Sequence, residues 1–176
     1  MLLDGEAWQS RFRDFRSEAW RLETLPEYRV PQEEDSIRSF LSGERIDPHT
    51  YANAYTDDLR RLRGEGRSKG RVHVVTRPLT PYLEYEFMYY EAHVRAGEEI
   101  RILDVTGRTD PLAGVQDFWM FDRRQVVLMH YGADGTQIGR ELHEGDVRPF
   151  LDHQRVALAE SVPFEEYVKG LDVRAG

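Results

Sequence analysis

Asp104, Asp117 and Asp122, with His130 and His143, are the carboxylates and imidazoles whose expected places at or near strand ends would let them share protons in one cleft. That constellation would suit a hydrolase. His130 and His143 flank a turn, Gly132-Ala133-Asp134-Gly135, across which an antiparallel hairpin could pair them. Strand-end carboxylates are nevertheless more often turn formers or surface charges. Other catalytic routes lack their signatures. There is no cysteine, no Gly-x-Ser-x-Gly elbow, and the six histidines (49, 73, 93, 130, 143 and 153) show no spacing that sets two ligands on one helix face. No metal or other cofactor is expected.

Two segments have the composition of binding surfaces. In Pro81-Tyr82-Leu83-Glu84-Tyr85-Glu86-Phe87-Met88-Tyr89-Tyr90 the apolar arc is wide, with Leu83, Phe87, Tyr90 and Val94 on one stripe and Tyr82, Tyr85, Tyr89 and Ala92 on the next. A crossover helix packed on a sheet accounts for such stripes. The functional alternative is an aromatic docking surface built from Tyr82, Tyr85 and Tyr89, joined by Trp119, because tyrosine is favoured where one end of a side chain is dry and the other wet. The sequence leaves open whether Trp119 and Phe121 face the core or solvent.

Arg60, Arg61, Arg63, Arg67, Lys69 and Arg71 give a twelve-residue segment six positive charges against the single negative charge of Glu65. Its glycines would let backbone amides approach a phosphate or a nucleic acid. The lysine–serine pair of a P-loop is missing, and cations near a helix C-terminus also serve simply to complement its dipole.

The elements that must position these residues read as a single α/β domain over 1–170, mainly helical over 1–66, with an aperiodic, frayed tail at 171–176. Asp4 can cap a helix reaching about Arg16. Ala19 to Glu23 reads as a short strand at a sheet edge, with Pro26 and Pro31 bracketing an extended segment after it. Short helices follow, one after Glu33-Glu34-Asp35 and one opened by Pro48 and ended by Gly64 and Gly66. Val72–Val75, a helix from Pro81 to Ala96, and Ile100–Val105 have the length of a βαβ crossover, predicting two parallel strands. Phe118–Phe121, Val126–Met129 and Thr136–Leu142 then predict three antiparallel strands, and helices at about 146–161 and 164–169 close the chain.

Composition narrows the function classes. At 176 residues and 40% hydrophobic content the chain can bury a continuous core, and a net charge of −8 opposes any general affinity for nucleic acid or anionic membrane. The N-terminus lacks the pattern of a signal peptide and no run has the length of a membrane span, so a cytoplasmic location is expected. The oligomeric state is left open, a homo-oligomer included.

Trp20-Arg21-Leu22-Glu23-Thr24 with Tyr28 and Pro31, Phe40-Leu41-Ser42-Gly43, Arg77-Pro78-Leu79-Thr80-Pro81-Tyr82-Leu83-Glu84-Tyr85-Glu86, Ala96-Gly97-Glu98-Glu99 and Asp117-Phe118-Trp119-Met120-Phe121-Asp122 together resemble an uncharacterised actinobacterial family often encoded near helix-turn-helix regulators. The resemblance implies a noncatalytic regulatory module with a protein partner, a helix-turn-helix regulator being the partner it points to, and nucleic acid the less favoured alternative. The order of elements from Arg71 to Ser161 is also similar to half of a phospholipase D-like domain. Neither His73-Val74-Val75 nor His130-Tyr131-Gly132 supplies the His-x-Lys of those enzymes, so that resemblance implies a degenerate, noncatalytic copy.

Overall fold

Asp4 caps the first helix as its position predicts: its carboxylate accepts the Ala7 amide at 2.7 Å, and α1 runs Gly5–Asp14. The computed structural model describes residues 1–175. After α1 come β1 (Glu18–Glu23), a 3-10 turn (Pro31–Glu33), α2 (Glu34–Leu41), α3 (Ala54–Gly64), β2 (Ser68–Val75), α4 (Pro81–Ala96) and β3 (Glu99–Asp104). The second half holds β4 (Phe118–Phe121), β5 (Gln125–Tyr131), β6 (Gln137–Leu142), α5 (Arg148–Glu160), β7 (Val162–Pro163) and α6 (Phe164–Ala175).

The strands form one mixed sheet in the order β6-β5-β4-β1-β2-β3-β7. The predicted crossover is present, with β2 and β3 parallel around α4. Thr80 caps α4 by accepting the Leu83 amide, Pro81 opens it, and Gly97 at φ 119° ends it in the left-handed conformation. The predicted antiparallel run β4-β5-β6 is also present.

Four local expectations fail. β1 lies at the centre of the sheet, parallel to β2 and antiparallel to β4, not at an edge. Pro26 and Pro31 fall beyond its last residue, so neither interrupts its ladder. Pro48 opens no helix: α3 starts at Ala54, because Asn53 accepts the Thr56 amide while the Thr56 hydroxyl accepts the Asn53 amide, a reciprocal cap that fixes the start six residues later. β2 begins at Ser68, so the last four residues of the basic segment, 68–71, are strand and not loop. The tail from Leu171 continues α6 as far as Ala175, and Gly176 lies outside the described residues.

One face of the sheet packs Trp20, Leu22, Val72, Val74, Leu103, Phe118, Met120 and Val126 beneath α5. The other face is divided. Trp119 and Phe121 stack on each other at 5.8 Å and pack against Trp8 and Phe12 of α1, which places both in the core. At the far side Ile100 and Ile102 meet Leu83 and Tyr90 of α4 and Phe164 of α6. Between these two apolar clusters the central strands carry polar side chains.

Candidate functional site

Residues of a strand alternate between faces, and in β1 and β2 the alternation sends the polar set to the divided face. With Trp20 and Leu22 beneath α5, Arg21 and Glu23 point the other way; with Val72 and Val74 there too, Lys69, Arg71 and His73 do likewise. Strand register sets Arg71, Arg21 and Trp119 in one row across β2, β1 and β4, and Glu23 beside His73 in the next. Above this floor opens a cleft of about 530 Å³, walled by α1, the segment after β1, α2, α3 and α4.

Two arginines side by side require compensating charge. Arg71 is buried and donates to Glu98 Oε1 from Nε at 2.9 Å and from Nη2 at 2.7 Å, and to Glu23 from Nη1 at 2.9 Å. Tyr55 adds a hydroxyl donated to Glu98 at 3.0 Å. Burial opposes ionisation of Glu23, but Arg21, Arg71 and His73 outweigh it and hold its carboxyl at about 2. The same balance of burial against Arg71 and Arg21 lowers Glu98.

Arg21 is held differently. Its guanidinium stacks on Trp119 at 4.8 Å and lies 3.4 Å from Glu23 and 3.9 Å from Glu98, yet its buried Nε makes no hydrogen bond. Burial and Arg71 disfavour its charge, while Glu23, Tyr55 and Glu98 together outweigh them and keep it protonated. Arg21 therefore presents a charged, planar donor set at the cleft floor with little of its hydrogen-bonding capacity used. Lys69 lies deeper, its ammonium 4.5 Å from the Tyr55 ring and 5.0 Å from that of Phe12, and burial brings its pKa down to about 8. Burial likewise lowers His93, on the α4 wall, to about 4, so it is neutral at physiological pH.

A belt of tyrosines lines the cleft. Tyr131, Tyr28, Tyr82, Tyr85, Tyr89 and Tyr51 touch in sequence, with successive ring centroids 5.1, 6.1, 6.0, 5.1 and 5.3 Å apart. Tyr28 is oriented by a short hydrogen bond from its hydroxyl to Asp117, and accepts the amides of Thr24 and Leu25 at 3.1 Å each. The Tyr82 hydroxyl lies 2.7 Å from Glu86 Oε1 and 3.1 Å from Glu33 Oε2. Burial and the neighbouring Glu86 push Glu33 up to about 7.

The residues singled out from sequence fall in different places. Tyr82 and Tyr85 are buried and Tyr89 half-buried; all three, with Trp119, line this cleft instead of forming a flat outer patch. The basic segment does not form one surface. Arg60 and Arg61 are exposed on α3 and pair with Asp57, Asp58 and Glu65, and Arg63 lies beside Gly97. Arg67 stacks on Phe15 at 4.2 Å and pairs with Glu65, while Lys69 and Arg71 point inward.

Asp104, Asp117, Asp122, His130 and His143 share no cleft. Asp104 accepts from Arg77 and Tyr167 at the end of β3, and Asp122 accepts the amides of Arg16, Ser17 and Glu18. His130 pairs with Glu141 at 2.8 Å, and His143 contacts the Asp146 carbonyl at 3.1 Å. His73 is wholly buried, held by the Tyr90 hydroxyl at 2.8 Å and the Leu25 carbonyl at 3.0 Å. No group of three or more histidine or carboxylate side chains among the described residues is arranged to hold a metal ion, and no helix is long and apolar enough to cross a membrane.

A family model described as a domain of unknown function (DUF6879) matches residues 6–169. No curated protein matches the chain.

Proposed function

We propose, from the premise that the chain belongs to the DUF6879 family of domains of unknown function, that it is a noncatalytic module that binds a small organic molecule in the cleft over β1, β2 and β4. One observation carries this reading: two adjacent central strands, β1 and β2, give their inner face to Arg21, Glu23 and Arg71 beneath a cleft of about 530 Å³, where a merely structural sheet would place apolar side chains. Burying several charges and then leaving Arg21 underused costs stability unless something else uses it.

A flat protein-docking face is less well supported. The Tyr82 hydroxyl is engaged by Glu33 and Glu86 and that of Tyr85 by Ser36, so their rings form the wall of a concavity. The regulatory role, with a helix-turn-helix regulator as partner, rests on the family resemblance; ligand occupancy of the cleft supplies the switch such a module needs.

Trp8 and Trp119 line the cleft whereas Trp20 lies on the other face of the sheet, so tryptophan emission reports on occupancy. A metabolite library screened by emission and thermal shift is expected to yield compounds that perturb both, and Arg21→Met is expected to weaken them by ~10-fold or more. Silence across the library, or equal binding by Arg21→Met, would overturn the reading.

A further inference from the structure

The Glu33 wall of the cleft lacks hydrogen-bond protons. Tyr82 has one hydroxyl proton and two carboxylate oxygens within hydrogen-bonding distance, at 2.7 Å from Glu86 and 3.1 Å from Glu33. When the proton lies toward Glu86, the Glu33 oxygen faces an oxygen with nothing between them unless Glu33 itself is protonated. Among the described residues no lysine, arginine or histidine lies within ion-pairing distance of Glu33, and Glu86 has only Arg71 at 3.9 Å. Elsewhere in this cleft, rings meet a resident cation: Arg21 on Trp119, Lys69 on Tyr55, Arg71 on Tyr90 beneath. No resident cation stacks on the rings of Tyr28, Tyr82, Tyr85 or Tyr89 among the described residues, although these rings stand beside the two carboxylates.

We propose that the wall between Glu33 and Glu86 binds a hydrogen-bond-donating organic cation, the protonated amine or amidine of a small molecule whose body lies along the tyrosine belt. This rests on the ligand-binding reading of the cleft and adds the class of ligand. Aromatic rings attract any cation through their faces, but the missing element here is a donor. A primary ammonium supplies protons to both carboxylates, whereas a quaternary ammonium supplies none. Glu33, which faces Glu86 and Tyr82 from α4 and Glu23 and Arg21 from β1, exchanges its proton for the bound cation.

The test uses three probes on the full chain, read by calorimetry and by tryptophan emission: phenethylamine, its N-trimethylated counterpart and 2-phenylethanol. Phenethylamine is expected to bind saturably, and the other two ~10-fold or more weaker. Affinity for the amine is expected to rise by up to ~10-fold between about pH 6 and about pH 8, as Glu33 loses its competing proton. Glu33→Gln, isosteric and uncharged, should lose the amine preference and this pH dependence; Glu86→Gln is the second variant should the first not fold.

Equal binding of the alcohol or the quaternary ion, an unchanged Glu33→Gln, or no saturable binding of the amine at millimolar concentration overturns the proposal. If anions or neutral compounds perturb Trp8 and Trp119 while amines do not, the amine class falls and the ligand-binding reading stands. Silence with every class overturns both.

Discussion

Arg71→Met is the most informative perturbation of the cleft floor. In the protein Arg71 directs three short hydrogen bonds to carboxylates, two to Glu98 and one to Glu23. Methionine fills much of the volume and donates nothing, leaving Glu98 buried with the Tyr55 hydroxyl, His93 Nδ1 at 3.5 Å and Arg21 at 3.9 Å as its nearest compensation. Removing one partner of a buried ion pair costs about 3–5 kcal/mol. Protonation of Glu98 sets a ceiling on that cost. Taking its ordinary value of 4.5, neutralising it at pH 7 costs about 3.4 kcal/mol and at pH 5 about 0.7 kcal/mol. The variant should therefore be about 3 kcal/mol less stable at pH 7 and recover most of that loss by pH 5.

The sign of the pH dependence is the sharper test. In the parent, Glu23 and Glu98 have folded pKa values below 4.5, so their contribution is present above that value and lost as pH falls toward about 2, where Glu23 titrates. In Arg71→Met, Glu98 is raised instead, and its contribution is lost as pH rises. Urea denaturation at a series of pH values between about 3 and about 7.5 measures both slopes. A loss below about 1 kcal/mol at pH 7, or a variant that weakens in parallel with the parent on acidification, would refute the reasoning.

Asp122→Ala should cost about 1–2 kcal/mol in urea unfolding, because it strips the acceptor from three backbone amides of residues 16–18. Although burial opposes it, those amides hold the Asp122 carboxyl at about 2, below its ordinary 3.8, so its contribution should persist above pH 3.8 and disappear toward pH 2 in the parent only. Gly135→Ala should lower the melting temperature by several degrees: its Cβ would sit 2.5 Å from the Glu27 carbonyl oxygen at φ 83°, forcing apart the turn that holds the Tyr28 segment. Fluorescence anisotropy with duplex and single-stranded DNA should show no binding at physiological salt, since Arg60 and Arg61 are paired and Lys69 and Arg71 are internal; affinity that falls steeply with salt and vanishes in Arg60→Ala/Arg63→Ala would restore the basic segment as a nucleic-acid contact.

The elements with strong local signals were legible. Thr80-Pro81 and Gly97 bound α4 because cap chemistry is local, and the apolar runs of β4 and β5 declare themselves as buried strands by composition. β7 was not legible. Two residues carry no period, and only pairing with Arg101 and Ile102 makes them a strand.

The site was half visible, and the missing half has one cause. Tyr82, Tyr85, Tyr89 and Trp119 stand out by residue type, and Lys69 and Arg71 by charge, but the sequence groups the last two with Arg60 and Arg61 because they are neighbours along the chain. Alternation in β2 separates them, sending Lys69 and Arg71 inward while the α3 arginines stay in solvent. Arg21 and Glu23 alternate with Trp20 and Leu22 in the same way, and that pattern is what an edge or half-exposed strand shows. Position in the sheet alone distinguishes the two cases: polar alternation at an edge is solvation, whereas in two adjacent central strands it puts charge under a roof. Placing β1 between β4 and β2 thus converts an ordinary amphipathic strand into the floor of a binding cleft. The order of strands, which depends on pairings across about a hundred residues of chain such as Ala19 with Phe121, carries that information.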